Sequence, residues 1–225
     1  MKLKRLTIHR YRNLHPCSLI FNEEWNVVVG PTASGKSTLM GLLGLVLARR
    51  ADLLACCAHH VEAEFFDGER WESRQENPEC ERPPKSLHFE QGKYLAEAFS
   101  GDLPILDGSG ESLSFTERHI LLVGYWIAQQ GEHPLVLDEP FAFWHTDSMD
   151  PVALLLAKRQ VFLATNRRDV IDCVPMGTAE QVASIVYAKS MELRQPTEKQ
   201  IVQFLEDAEI AIQQYSEMFS SRGWF

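Results

Sequence analysis

The chain has 225 residues, 31 acidic and 22 basic, a net charge of −9, and 45% hydrophobic, 10% aromatic and 24% charged residues. Those values exclude a disordered or collagen-like chain, and the length suits one domain with a modest insertion. The acidic balance argues against coating nucleic acid by bulk charge, although a local basic face is compatible with it.

The first 22 residues hold no acid, and Lys2, Lys4, Arg5, Arg10 and Arg12 interleave with Leu3, Leu6, Ile8 and Tyr11. Leu6 and Ile8 alternate with polar neighbours, which predicts a strand with one wet face. A second strand is expected over 18–21, and the apolar run 25–29 before Gly30 suits a fully buried strand. A Leu-rich helix should run over 36–49. Alternation predicts a strand over 61–66, Asp67-Gly68 a hairpin turn, and 70–73 its partner. Residues 74–86 are polar and Pro-rich and read as a loop. Short elements are expected over 87–89 and 94–99, a Gly-bearing loop over 101–112, a helix over 116–130 and a buried strand over 135–138. A helix over 150–158, a strand over 160–165 and an amphipathic helix over 198–219 complete the pattern. Strands alternating with helices indicate an α/β layered fold.

Cys17, Cys56, Cys57, Cys80 and Cys173 are odd in number and form no C-x-x-C pair, which reads as reduced thiols in a cytoplasm. Cys56-Cys57 and His59-His60 lack zinc-site spacing and read as packing at a helix end. The longest apolar run, 39–48, falls short of the roughly 18 residues of a membrane span, so no membrane partner is expected. No apolar segment follows the basic N-terminus to make a signal peptide.

Residues 30–38 read GPTASGKST and match the P-loop pattern G-x-x-x-x-G-K-[ST]. Gly30 and Gly35 let the backbone curl, so that the N–H groups of Pro31-Thr32-Ala33-Ser34-Gly35-Lys36-Ser37-Thr38 that exist can surround a phosphate. The positive end of the following helix adds to that field. Lys36 can reach the β- and γ-phosphates of ATP, and Ser37 can ligate Mg²⁺. In PLVLDEP, residues 134–140, an apolar strand delivers Asp138 as a second Mg²⁺ ligand. Glu139 beside it is the candidate general base for the attacking water.

LSFTER, residues 113–118, adds a specific resemblance. The order P-loop, LSxx[EQ], helix, apolar strand, Asp-Glu-Pro resembles that of ABC-type ATPases. Ser114 and Glu117 fall in register with the family's signature loop, while Phe115 and Thr116 replace its two glycines. Ser114 and Glu117 also suit a capping box, which is compatible with that loop opening a helix. The element Ile8-His9-Arg10-Tyr11-Arg12-Asn13-Leu14 resembles the start of the RecF, SMC and OLD-nuclease class of these ATPases, several of which are described as AAA-family.

The resemblance implies an ABC-type P-loop NTPase head, with an N-terminal antiparallel β portion and a mostly parallel RecA-like core sheet. It spans roughly 1–50 and 110–170, within one domain over 1–225 that carries a reduced insertion over 62–112. It further implies Arg12 and Asn13 near the nucleotide, and Ser114 capping the γ-phosphate from a second subunit. His145 stands where OLD-like members carry a His after the Asp-Glu-Pro, with Asp147 as rival. Asn166 occupies the switch position that is usually His; an amide can hydrogen-bond phosphate but carries no charge, so slow hydrolysis is expected. The glutamine of the family's Q-loop is either Gln75 or Gln91.

The implied function is an ATPase that dimerises around Mg-ATP, alone or in a heteromeric complex. Its implied setting is DNA repair, chromosome maintenance or defence against invading DNA, with a nuclease or other effector as separate subunit. DNA contact would use the basic first strand with Arg49, Arg50, Arg167 and Arg168. The segment between Lys36 and Leu113 is too short for the SMC coiled coil. Three other readings stand beside this one: a membrane transporter's ATP-binding subunit, with Tyr11 stacking on adenine; a P-loop kinase of small molecules; and a nucleotide-binding regulator that does not hydrolyse.

Overall fold

The computed structural model describes residues 2–31, 33–77, 133–138, 159–165 and 184–194. The helices expected over 116–130, 150–158 and 198–219 lie outside these residues, as do the elements over 87–89 and 94–99 and the loop over 101–112.

Two sheets organise the described chain. The first is antiparallel in the order β2-β1-β4-β5, built from β1 (Leu3–Tyr11), β2 (Cys17–Ile20), β4 (His59–Phe65) and β5 (Arg70–Gln75). The second has the order β6-β7-β3-β8-β9, with β3 (Trp25–Val29), β6 (Leu135–Asp138), β7 (Val161–Thr165), β8 (Ser184–Lys189) and β9 (Glu192–Arg194). Strands β6, β7, β3 and β8 run parallel, and β9 returns antiparallel to β8. The expected α/β fold, an antiparallel N-terminal portion beside a mostly parallel sheet, is what the chain adopts.

Burial follows the sequence pattern. Strands β3 and β7 are buried along their whole lengths, as continuous apolar runs in a parallel sheet should be. Strand β4 alternates buried and wetter residues, as expected for a sheet with one solvated face. Helix α1 (Lys36–Leu47) buries Leu39, Met40, Leu42, Leu43, Leu45 and Val46 between them, in one core with Leu6, Ile8 and Phe65.

Several boundaries differ from expectation. Helix α1 ends at Leu47 rather than 49, because Arg49 takes a left-handed conformation (φ 57°). The Arg50 N–H bonds Leu45 O at 3.0 Å and the Arg49 N–H bonds Val46 O at 3.2 Å, a Schellman ending without its usual glycine. The Arg49 guanidinium lies 4.1 Å from the Phe65 ring centroid and pairs with Glu69 at 2.7 Å, which helps hold this backbone. A short helix, α2 (Ala51–Leu54), follows. Strand β5 runs on to Gln75, so the first two residues expected as loop are sheet; residues 78–86 lie outside the described residues. The start expected for the insertion, residue 62, falls inside β4. The hairpin of β8 and β9 was not predicted at all. The Asp67-Gly68 turn is present, with Gly68 at φ 87° and its N–H bonded to Phe65 O at 3.0 Å.

The two sheets are joined by buried amides. Gln160 is fully buried, and its Oε1 accepts the Leu3 N–H at 2.7 Å. Its Nε2 donates to Leu3 O and, at 2.8 Å, to Asn22 O. Asn26, also buried, accepts the Asn22 N–H at 2.7 Å and donates to Asn22 O and Val161 O. Residues of β1, of the turn before β3 and of β7 thus share one polar network inside the core. Replacing Gln160 with Leu keeps the volume but removes the side-chain partner of the Leu3 N–H and of the Leu3 carbonyl, while Asn22 O keeps its bond from Asn26. We expect a loss of roughly 2–4 kcal/mol in urea unfolding, since each buried polar group without a partner costs about 1–3 kcal/mol.

Candidate functional site

Strand β3 delivers the chain to Gly30 at the C-terminal end of the parallel sheet. Gly30 has φ 157°, and a Cβ there would lie 2.1 Å from the Ala188 carbonyl oxygen of β8. No other residue fits that approach without moving backbone. Ala33 (φ 60°) and Gly35 (φ 106°) are left-handed and flank Ser34, the alternation that curls successive N–H groups toward one point. Gly35 also caps α1, and a Cβ there would crowd Met191 Sδ at 3.0 Å and Leu14 Cδ2 at 3.1 Å. Among the described residues no side chain caps the helix, and no acid stands in its first turn to offset the positive end. Ser37 is exposed, Thr38 half-buried, and Pro31 and Ala33 exposed; Thr32 lies outside the described residues.

Lys36 is buried and turned onto the loop, donating to Gly30 O at 2.8 Å and Pro31 O at 3.0 Å. Its ammonium therefore sits in the concavity of the loop, held by carbonyls that an arriving anion can replace as partners.

The loop is braced from two sides. The β8–β9 turn, Ser190-Met191, has both residues left-handed (φ 51° and 67°), the geometry of a tight two-residue hairpin. The Met191 N–H donates to Ser34 O at 3.0 Å, and Met191 O accepts the His15 N–H at 3.0 Å. Leu14, beside His15, packs at Gly35 on the other flank. In the sequence this hairpin has one signal, the apolar run Ile185-Val186-Tyr187, and no glycine or asparagine to mark its turn.

Asp138 ends β6 in register with Ala164 of β7, which pairs with Val28 of β3. That row places Asp138 at the same edge of the sheet as Gly30. Among the described residues, three buried side-chain polar atoms lack a hydrogen bond: Asp138 Oδ1, Ser34 Oγ and His60 Nε2. A buried oxygen of this kind asks for a donor or a cation. Thr165, at the end of β7, is buried. Glu139, His145, Asp147, Asn166, Ser114, Glu117 and Gln91 lie outside the described residues.

The turn carrying Arg12 and Asn13 borders the loop through Leu14. Arg12 is left-handed (φ 49°) and exposed, with its guanidinium 5.5 Å from the Tyr11 ring centroid. Burial raises the pKa of the Cys57 thiol, and the neighbouring Arg12 guanidinium offsets part of the rise. Burial pushes the Tyr11 phenol up to about 12, with Arg12 pulling it down and Cys57 adding to the rise. Gln75 ends β5 with its amide bonded to Asn77 O at 2.9 Å.

Of the seven described cations expected to form a basic face, four form ion pairs with acids. Lys4 meets Glu64 at 2.9 Å, Lys2 meets Glu23 at 3.4 Å, Arg49 meets Glu69, and Arg50 meets Asp52 at 2.9 Å. Arg167 and Arg168 lie outside the described residues. His59 is structural, bonding Cys57 O at 2.9 Å and Ser73 Oγ at 2.7 Å, as helix-end packing would have it.

No family model matches the chain. A stretch of 68 residues is 41% identical to the DNA replication and repair protein RecF of Psychromonas ingrahamii, covering 29% of this chain and 19% of that protein. An SMC head domain from Thermotoga maritima superimposes with a TM-score of 0.54 at 14% identity, over 88% of this chain and 100% of that one. A nucleotide-free ATP-binding cassette from an ABC transporter gives 0.51 at 16% identity, over 94% and 98%. At such identities the two structures establish the fold.

Two outcomes are expected. Gly30→Ala should lose about 3 kcal/mol or more of stability by urea unfolding, because it adds a backbone clash to a strained φ. Tyr11 has a folded pKa raised from 10.0 to about 12, so its contribution is intact below pH 10 and is lost as pH rises through 12. Comparing urea midpoints between pH 9 and 11.5 should show a fall that is shallower in Tyr11→Phe.

Proposed function

The chain has the fold of the ABC-type ATPase heads of the RecF and SMC class, and from that premise we propose that it binds Mg-ATP and hydrolyses it. The observation that carries this reading is that the braced phosphate-type loop and a buried, unpartnered Asp138 Oδ1 stand at the same edge of the parallel sheet. The phosphates would lie against the loop N–H groups from Gly30 to Thr38, including Thr32, with Lys36 turning from the loop carbonyls to the phosphate oxygens. The donor set suits Mg²⁺: the Ser37 hydroxyl and the Asp138 carboxylate are hard oxygen ligands. Bound there, the ion would neutralise phosphate charge.

Glu139 would take the proton of the attacking water. Asn166 would hydrogen-bond the γ-phosphate without adding charge, consistent with slow turnover. His145 would act beside Glu139 as the His that OLD-like members carry after Asp-Glu-Pro, and Arg12 and Asn13 would stand near the nucleotide. Ser114 of a second copy would close the site, so hydrolysis would gate a dimer. One ATPase domain over 1–225, with a variable insertion over 62–112 and a C-terminal helix over 198–219, carries these parts.

The match to a protein named for DNA replication and repair supports a role in DNA repair; chromosome maintenance or defence, and a separate effector subunit in the cytoplasm, belong to the same proposal. The matched stretch spans only a small part of that protein, so the role is tied to the shared head. Among the described residues no helix is long and apolar enough to cross a membrane.

The test is the mass of Glu139→Gln by light scattering, with and without Mg-ATP. Removal of the base should trap ATP, giving a dimer only with nucleotide. A monomer with ATP bound would overturn the paired-site reading and favour a kinase-like enzyme or a heteromeric partner. Replacing Asn166 with His should raise turnover about tenfold or more; an unchanged rate would remove Asn166 from the cause of slow hydrolysis.

A further inference from the structure

The wet face of the antiparallel sheet carries a side-chain cluster that the nucleotide chemistry does not use. Ile8 pairs with Val61 and Arg10 with His60, so His9 is the extra residue of a bulge in β1. The alternation breaks there: Ile8 and Tyr11 are buried, whereas His9 and Arg10 are both exposed. Bulges re-aim side chains, and this one brings His9 onto His60 of β4. The two rings stack with centroids 4.2 Å apart and planes 24° from parallel.

Both rings aim the same nitrogen at the same oxygen. His9 Nε2 lies 2.8 Å from Glu62 Oε1 and His60 Nε2 lies 3.6 Å from it. On the far side, His60 Nε2 is 3.2 Å from Glu72 Oε1 of β5. Glu62 and Glu72 face each other directly across β4 and β5. Like charges in that position destabilise a sheet unless positive charge stands between them. His60 stands there, yet its Nε2 is buried and makes no well-directed hydrogen bond. A cation bound by the imidazoles and the carboxylates together satisfies the buried nitrogen and the facing charges at once.

The spacing fits a small tetrahedral ion. Bonds of about 2.0–2.1 Å place ligand atoms roughly 3.3–3.4 Å apart. The ligand atoms of His9, His60 and Glu62 all lie within 4.8 Å of one another, with Glu72 in reach as the fourth. Two imidazole nitrogens with two carboxylate oxygens suit zinc and its neighbours, whereas calcium and magnesium take oxygen alone. His9 is exposed, so its ring can turn from the stacked pose to complete the angle. We propose that His9, His60, Glu62 and Glu72 form a zinc-type divalent metal site that staples β1, β4 and β5. The proposal does not depend on the nucleotide reading.

The experiment is zinc binding by the full, reduced chain in competition with a chromogenic chelator, beside His9→Gln, His60→Gln and the double variant. His9→Gln changes an exposed residue, and equal metal-free melting temperatures for it and the parent chain confirm the fold. The expected result is a site in the parent that each single variant weakens about tenfold or more. A zinc-dependent rise in melting temperature should vanish with it. Cobalt should give visible bands without the near-ultraviolet charge transfer of thiolate ligands. Zinc binding that is the same in the double variant, or a thiolate band from the cysteines, would overturn the assignment.

Discussion

The approach of the Ala188 carbonyl to Gly30 is the constraint on which the rest of the site depends. It exists because β8 lies beside β3 with Val29 opposite Tyr187, so the chain leaving β3 must pass the end of β8 without a side chain. From the same strand the β8–β9 turn reaches over to the Ser34 carbonyl. The loop is therefore braced by its neighbours in the fold. Backbone strain gathers here: of the five non-glycine residues with positive φ among the described residues, Arg12, Ala33, Ser190 and Met191 all belong to the loop or to the two turns that brace it. Each costs on the order of 1–2 kcal/mol, and packing of the two sheets offsets that cost. A loop held open in this way needs little reorganisation to receive an anion.

The bracing also couples the loop to the antiparallel sheet. Met191 O accepts the His15 N–H, and Leu14 touches Gly35, so any displacement of the loop works against the connection between β1 and β2. The other end of β1 is fastened to the parallel sheet by Gln160. Strand β1 is thus tied at both ends to the sheet that carries the loop. Toward its C-terminal end it holds the bulge at His9, one of two places where its pairing with β4 departs from regularity. The sheet next to the loop is accordingly a firm flank, consistent with the buried, polar-bonded ends and the wet outer face.

Much of this was legible in the residues. The strand–loop–helix unit from 25 to 47 is local: an apolar run, two glycines at the turn and a leucine-rich repeat all act within a few positions of one another. The Asp67-Gly68 turn is legible for the same reason. The end of α1 was not, because Arg49 adopts the conformation normally signalled by glycine, helped by Phe65 and Glu69 from beyond the helix. Strand β5 outran its pattern because Arg74 and Gln75 pair with His60 and His59, whose backbone groups complete the ladder whatever the side chains are. The β8–β9 hairpin escaped because Ser190-Met191 lacks glycine and asparagine.

What the sequence by itself determined is the chemistry that short-range geometry can encode: which residues curl the loop, that Lys36 opens a helix, and that Asp138 ends an apolar strand. Tertiary structure alone decided which strand lies against Gly30, which turn holds Ser34, and that a bulge sets His9 on His60. The physical reason is range. Backbone preferences are set by neighbouring residues along the chain. Strand order and register depend instead on contacts between segments far apart, whose free energy is shared across the whole core.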